Sequence, residues 1–327
     1  MVTLDNALNN GTLMRSLERR LKAEGVSFSE HGNRIRCFPH VINIAVKTAL
    51  SRIGDVELDD ADNVTLDEIF EYLPPNESIG MSKAYRESLS KDLVGCARKL
   101  VNASRSLGKR RDALRDAILA IRRAQTSHEG NHHYLMREVV LLRDVDTRWS
   151  STFLMVDRLL ELYPAIKEIT NSPENNELQS LLLEPFDLGV LSDIRFFLKT
   201  FHLVQELASA QKTPCLAIVL PLYEQLITNL RLLKNALPNL SHAIESALQK
   251  IHEYQDKCHS TNMYSFAMCM SQLVIFKFSF SLTWAVVVNP TCKLKWVEEH
   301  WTQSRALQAK EAIKETVRYK KLSEMLI

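Results

Sequence analysis

The chain has 327 residues, 46% of them hydrophobic and 24% charged, with 41 Lys or Arg against 39 Asp or Glu. That is the composition of a folded globular protein long enough for two domains of about 100–200 residues, and it excludes collagen-like repeats, low complexity and global disorder. A net charge of +2 does not by itself indicate nucleic acid or membrane, and the nine glycines form no phosphate-cradling loop, which argues against Rossmann and P-loop enzymes. Six cysteines, at 37, 96, 215, 258, 269 and 292, show no C-x-x-C spacing and no signal peptide precedes them, so reduced thiols of the cytosol or nucleus are expected.

In chain order, residues 1–10 open as a short β-prone run that stops at Asp5-Asn6. An amphipathic segment follows, with Leu13, Leu17 and Leu21 at helical spacing and Gly25 as a stop. A lone short strand is unstable, so an upstream part of this fold is expected. Residues 34–37 look extended, and Pro39 then suits the first turn of a helix to about Ile53 with Val41, Ile44, Ala45 and Thr48 on one face.

Between 55 and 77 the chain carries nine acids (Asp55, Glu57, Asp59, Asp60, Asp62, Asp67, Glu68, Glu71, Glu77) and no Lys or Arg, which reads as a solvated acidic linker. The sign reverses over 82–125, with two helices expected to break near Gly108. In the second, Leu114, Ala117, Ile118 and Ile121 make the apolar stripe, and Arg111, Arg115 and Arg122 fall within about 40° of one another beside it. Arg105, Lys109, Arg110 and Arg123 complete a basic ridge suited to neutralising phosphates, the alternative being a solvated helix face paired locally by Asp112 and Asp116.

Residues 127–133 read as a His-rich loop and 138–142 as a strand. The polar stretch Arg143 to Trp149 ends it, and a helix starting at Ser150 carries Phe153, Val156, Leu159 and Leu160. Asp144 and Asp146 form a carboxylate pair there, for which a salt bridge or helix cap is the simplest reading. From that point to about His259 the pattern is helical, broken near Pro173, Pro214 and Pro238, with 191–210 and 215–233 the strongest helices. The apolar run 266–288 has the length of a bilayer span of about 20 residues, but Lys277 in mid-span costs roughly 2.5–3.5 kcal/mol and no membrane partner is expected.

Four strings in order carry a resemblance: Thr3-Leu4-Asp5-Asn6-Ala7 with Asn9-Asn10; Arg36-Cys37-Phe38-Pro39-His40-Val41-Ile42-Asn43; Asp144-Val145-Asp146-Thr147-Arg148-Trp149-Ser150-Ser151; and Asn289-Pro290 through Trp296 with His300-Trp301. In order and spacing these resemble the fungal hAT-superfamily transposases over roughly residues 1–301. The resemblance implies an α/β, predominantly helical fold in which a partial RNase H-like core (1–148) is interrupted by a large all-α insertion (149–288), with a return segment and C-terminal helix over 289–327. It also implies a nuclear protein, DNA as a weakly bound partner, and association with another copy or with a full-length transposase.

Members of that superfamily cut DNA with two Asp and one Glu that hold Mg²⁺ or Mn²⁺, an arrangement suited to in-line phosphoryl displacement. By the resemblance Asp5 is the second of these acids, the first belonging to a strand upstream of Met1 and the Glu to a C-terminal block with no counterpart after Trp301. One carboxylate is an incomplete metal site, so a catalytically inactive, transposase-derived DNA-binding protein is expected. The alternatives are an active nuclease whose missing acids come from a longer isoform or a complex, and a helical interaction scaffold without DNA affinity. Cys37 and His40 match a Cys-x-x-His element that supports the active site, and they make only half a zinc set. Arg148 and Trp149 match an Arg-Trp element at the entrance to the insertion, where the indole either stacks on an extruded base or anchors the first insertion helix. Similar proteins run from a Tyr-x-x-Ala-Met string almost directly into Asn-Pro. Here Tyr264 to Met268 stands about 17 residues before Val286, so 269–285 reads as translated intron.

Overall fold

The computed structural model describes residues 2–5, 7, 9–55, 77–127, 135–145, 148–209, 216–259, 261, 264, 274–277, 283–286, 298–299, 301–307 and 310–311. Residues 56–76 of the acidic linker, 128–133 of the His-rich loop, Asp146, Pro214 and the Asn289-Pro290 block lie outside them. The described elements are β1 (Val2–Leu4), α1 (Asn9–Ala23), β2 (Arg34–Arg36), α2 (Phe38–Arg52), α3 (Glu77–Ser90), α4 (Leu93–Ser106), α5 (Gly108–Ser127), α6 (Trp149–Thr170), α7 (Asn176–Gln179), α8 (Pro185–Ala208), α9 (Leu216–Ala236), α10 (Ser241–His259), β3 (Val274–Lys277) and β4 (Thr283–Val286). The chain is predominantly helical, as expected. It divides into two compact units, one of residues 1–45, 203–229 and 248–327, the other of 46–202 with 230–247.

In the first unit β1 and β2 pair in parallel, Val2 opposite Arg34, Thr3 opposite Ile35 and Leu4 opposite Arg36. α1 is the crossover between them, as a parallel pair requires. It ends as Gly25 predicts: that residue takes φ 75°. Its N–H bonds the Lys22 carbonyl at 3.1 Å and Val26 N–H bonds that of Leu21 at 2.9 Å, a Schellman closure. The buried face of α1 centres on Met14, 1% exposed, whereas Leu13 is 46% exposed. Leu17 and Leu21 of the expected stripe are half-buried, and Met14 takes the place of Leu13 on that face.

Three-residue strands are weak alone, and the outer edge of β2 is closed by side chains. Tyr264 Oη accepts from Arg36 N–H at 3.0 Å and donates to its carbonyl at 3.3 Å. Thr261 Oγ1 lies 3.1 Å from the His31 carbonyl and 3.3 Å from that of Arg34. Beneath β2, Phe38 meets Tyr223 edge-on at 4.8 Å, beside the buried thiol of Cys258. Burial pushes both the Cys258 thiol and the Tyr223 hydroxyl above their ordinary ranges. Cys37, Cys96 and Cys258 are free thiols.

In the second unit α4, α5 and α6 pack on one another. The sequence pattern predicts two helices over 82–123; the structure has three. Asp92 separates α3 from α4 with φ 48°, and its carboxylate accepts from Gly95 N–H at 3.0 Å as an N-cap. α2, whose residues to Ala45 belong to the first unit, buries Val41, Ile42, Ala45, Val46 and Ala49 completely, a stripe beside the expected one; Ile44 and Thr48 are half-buried.

Residues 138–142, expected as a strand, form neither helix nor strand and pair with no described strand. Side chains take their place as partners: Arg158 Nη1 donates to the Val140 carbonyl at 3.2 Å, and nearby Met136 N–H donates to Gln125 Oε1 at 2.9 Å. The 3-10 turns Pro173–Asn175 and Pro238–Leu240 fall where prolines mark breaks. Within the apolar run, β3 and β4 pair antiparallel, Val274 opposite Val286, which departs from an all-α insertion. Among the described residues no helix is long and apolar enough to cross a membrane.

Candidate nucleic-acid interface

α5 is built by its stripe: Leu114, Ala117 and Ile118 are at most 8% exposed and Ile121 is half-buried. Arg111, Arg115 and Arg122 stand exposed on the flank of that stripe. At about 1.5 Å rise per residue they span roughly 16 Å of one helix edge. Arg111 and Arg115 also border a groove of about 470 Å³ between α5 and the segment 138–141, with Leu114, Ile118, Val139 and Leu141 among its lining residues. Glu138, on the far side, accepts from Arg115 at 3.3 Å. With both side chains more than 40% exposed, that pair adds no more than about 1 kcal/mol and leaves the guanidinium accessible.

Arg110 is a correction to the expected ridge. It is 6% exposed and makes a four-way clamp: Nε to Asn175 Oδ1 (3.2 Å), Nη1 to the Ala103 carbonyl (3.2 Å) and to Ser106 Oγ (3.4 Å), and Nη2 to Glu177 Oε2 (2.9 Å). At about 100° per residue Arg110 falls between Ala117 and Leu114, in the middle of the buried face. Helix geometry alone places it inside.

At the entrance to α6, Arg148 is exposed and Trp149 is 3% exposed, edge-on to Phe201 at 6.2 Å. Burial favours the anchoring role of the indole over base stacking. Asp144 is engaged as a salt bridge: its side chain is 1% exposed, and Oδ2 accepts from Arg98 Nε (3.0 Å) and Nη2 (2.5 Å). Ser151 and Thr152 donate to Oδ1 at 2.8 and 3.0 Å. Burial pushes the Asp144 carboxyl up, but the hydrogen bonds from Arg98, Ser151 and Thr152 outweigh it and hold the carboxyl below its ordinary range. Arg98 also lines a cavity of about 380 Å³ with Asp92, Thr152 and Ile194. Arg98 is not a candidate on spacing, because nothing local in the sequence pairs 98 with 144.

Asp5 directly follows β1. Cys37 directly follows β2, its N–H bonding the Leu4 carbonyl at 3.0 Å, so the parallel pair brings the two to one end of the sheet. His40 lies in the first turn of α2, its N–H 3.1 Å from the Cys37 carbonyl. Around Asp5 the groups are donors: Ala7 N–H reaches Oδ1 at 3.1 Å, the Asn10 amide reaches the same oxygen, and Arg34 Nη2 reaches the Asp5 carbonyl at 3.1 Å. A divalent cation needs several oxygen ligands. Among the described residues, the surroundings of Asp5 supply N–H groups and a guanidinium instead, and do not fit it.

Fold and surface together define a mainly helical protein with an exposed basic helix edge. No family model and no solved structure matches the chain. It is similar to a protein of Talaromyces stipitatus named "Putative transcriptional regulator tpeD", with 25% identity over 239 residues, 72% of this chain and 25% of that protein. The chain thus spans about a quarter of the length of the curated relative it matches.

Proposed function

We propose that this chain is a transposase-derived, nuclear DNA-binding protein that does not cut DNA by itself. The observation that carries the reading is the exposed row Arg111, Arg115 and Arg122 on one edge of α5, with Arg148 as a further exposed cation. Guanidinium groups on a rigid helix neutralise phosphates without reading bases, so binding is expected to be weak, sequence-tolerant and strongly salt-dependent. The four sequence strings support descent from an RNase H-like transposase core. The strand–helix–strand unit that sets Asp5 beside Cys37 is compatible with that ancestry, as is likeness to a protein named for transcriptional regulation. Cleavage is not proposed, because Asp5 is the single matching acid and its neighbours are donors.

Fluorescence anisotropy of a labelled duplex across 50–200 mM salt tests this. Replacing Arg111, Arg115 and Arg122 by Ala is expected to lower the log–log salt slope by about 2–3, at about 0.9 per lost phosphate contact. Exposed substitutions of this kind cost no more than about 0.5 kcal/mol of stability each, so the variant stays folded. Undetectable binding by the unaltered chain at 50 mM salt would favour the protein-interaction scaffold.

A further inference from the structure

We propose that Thr126 is a phosphorylation site for a basophilic protein kinase, and that its phosphate silences the basic row of α5. The regulatory half rests on the DNA-binding reading above; the modification site does not.

Ile121-Arg122-Arg123-Ala124-Gln125-Thr126 sets guanidinium groups three and four residues before a hydroxyl, and an aliphatic side chain five before it. A kinase cleft with carboxylates placed for the residue at −3 holds such a guanidinium bidentately, and an apolar subsite takes the residue at −5. Thr126 is exposed in the last turn of α5, with Oγ1 donating to the Arg123 carbonyl at 2.8 Å. Helix ends open at a small fraction of the global unfolding free energy, so this turn can be drawn out for an active site. In the transfer, Thr126 Oγ attacks the γ-phosphorus of ATP, the bond to the β-phosphate bridging oxygen breaks, the hydroxyl proton passes to the kinase and ADP leaves.

Position makes this hydroxyl consequential. At about 100° per residue, Arg111, Arg115, Arg122 and Thr126 share an arc of about 60°. Thr126 is therefore the next place along the same row, one turn beyond Arg122. A phosphate there brings about −1.5 to −2 charges within i−4 and i−3 reach of Arg122 and Arg123. It also sits at a helix C-terminus, where negative charge is disfavoured, and so loosens the turn whose Gln125 holds Met136 N–H.

The experiment treats the purified chain with a kinase that selects Arg at −3 and radiolabelled ATP, maps the phosphate by mass spectrometry, and titrates both forms with a labelled duplex. Label is expected on Thr126, lost in Thr126→Ala, retained in Thr126→Ser and reduced in Arg123→Ala. The phosphorylated chain is expected to bind duplex about 3- to 10-fold more weakly at 50 mM salt, with a salt slope lower by about 1–2. Label that survives Thr126→Ala, with Thr126→Ala folded by circular dichroism, overturns the site. Label on Thr126 with unchanged DNA affinity overturns the regulation. Absence of DNA binding by the unphosphorylated chain removes the DNA reading and its regulation, while label on Thr126 still upholds the site.

Discussion

His259 has the clearest pH signature of any single side chain described. Burial against the Trp301 ring, 4.3 Å away, lowers its pKa to about 4, with the Arg305 charge adding to the effect and Asp256 opposing it. The unfolded chain binds the extra proton between its ordinary 6.5 and about 4, so stability is full above 6.5 and falls as pH drops through that window. Urea unfolding at pH 7 and pH 5 is expected to show this loss, and His259→Gln to flatten it. Asp144 has the same sign lower on the scale: its depressed carboxyl stabilises the fold above the ordinary carboxylate pKa and ceases to do so as pH falls through its folded value. Asp144→Asn strands Arg98, which is partly exposed, so the expected cost is about 1–3 kcal/mol. Gly95→Ala is tighter still, because its Cβ would lie 2.1 Å from Asp92 Oδ2; losing that cap is expected to cost about 0.5–2 kcal/mol by chemical denaturation. At this scale the sequence was legible where a residue acts alone, as Gly25 does. It was opaque where the partner is distant, as with Arg98 and Asp144.

Among elements, α6 shows why a motif and its structural role can be confused. An Arg-Trp pair at a helix start offers a cation and a ring together, yet the chain buries the ring and exposes the cation. Trp149→Ala is expected to destabilise the fold by about 3–5 kcal/mol. Trp149→Phe keeps a buried ring and is expected to leave DNA affinity within twofold, whereas base stacking would make the loss several-fold. Helical periodicity was readable in α5 because its apolar residues recur at i, i+3, i+4 and i+7 against charged neighbours. Residues 138–142 satisfy strand propensity through Val139, Val140 and two leucines without a described strand beside them, and propensity measures fit to a half-buried pleated surface that is not provided there. The break at Asp92 has no Gly or Pro to mark it, because an Asp takes the left-handed conformation there.

At the scale of the whole molecule the two compact units are interleaved in sequence, one made of residues 1–45, 203–229 and 248–327 and the other of 46–202 with 230–247. Composition could not foretell this, because long-range pairs such as Tyr264 with Arg36 leave no local pattern. The same pairing bears on chemistry. The sheet end that presents Asp5 is built by β1, β2 and Tyr264, and any metal would meet a carboxylate already held by Ala7 N–H and the Asn10 amide beside the Arg34 guanidinium. A cation must displace those donors and overcome a neighbouring positive charge, with one carboxylate to gain. Incubating supercoiled plasmid with the chain and 5–10 mM Mg²⁺ or Mn²⁺, roughly the saturating range for carboxylate-held cations, is expected to give no nicking above that of Asp5→Ala. Metal-dependent nicking abolished by Asp5→Ala would instead mean that further acids assemble at this sheet end, and the chain would then be a nuclease.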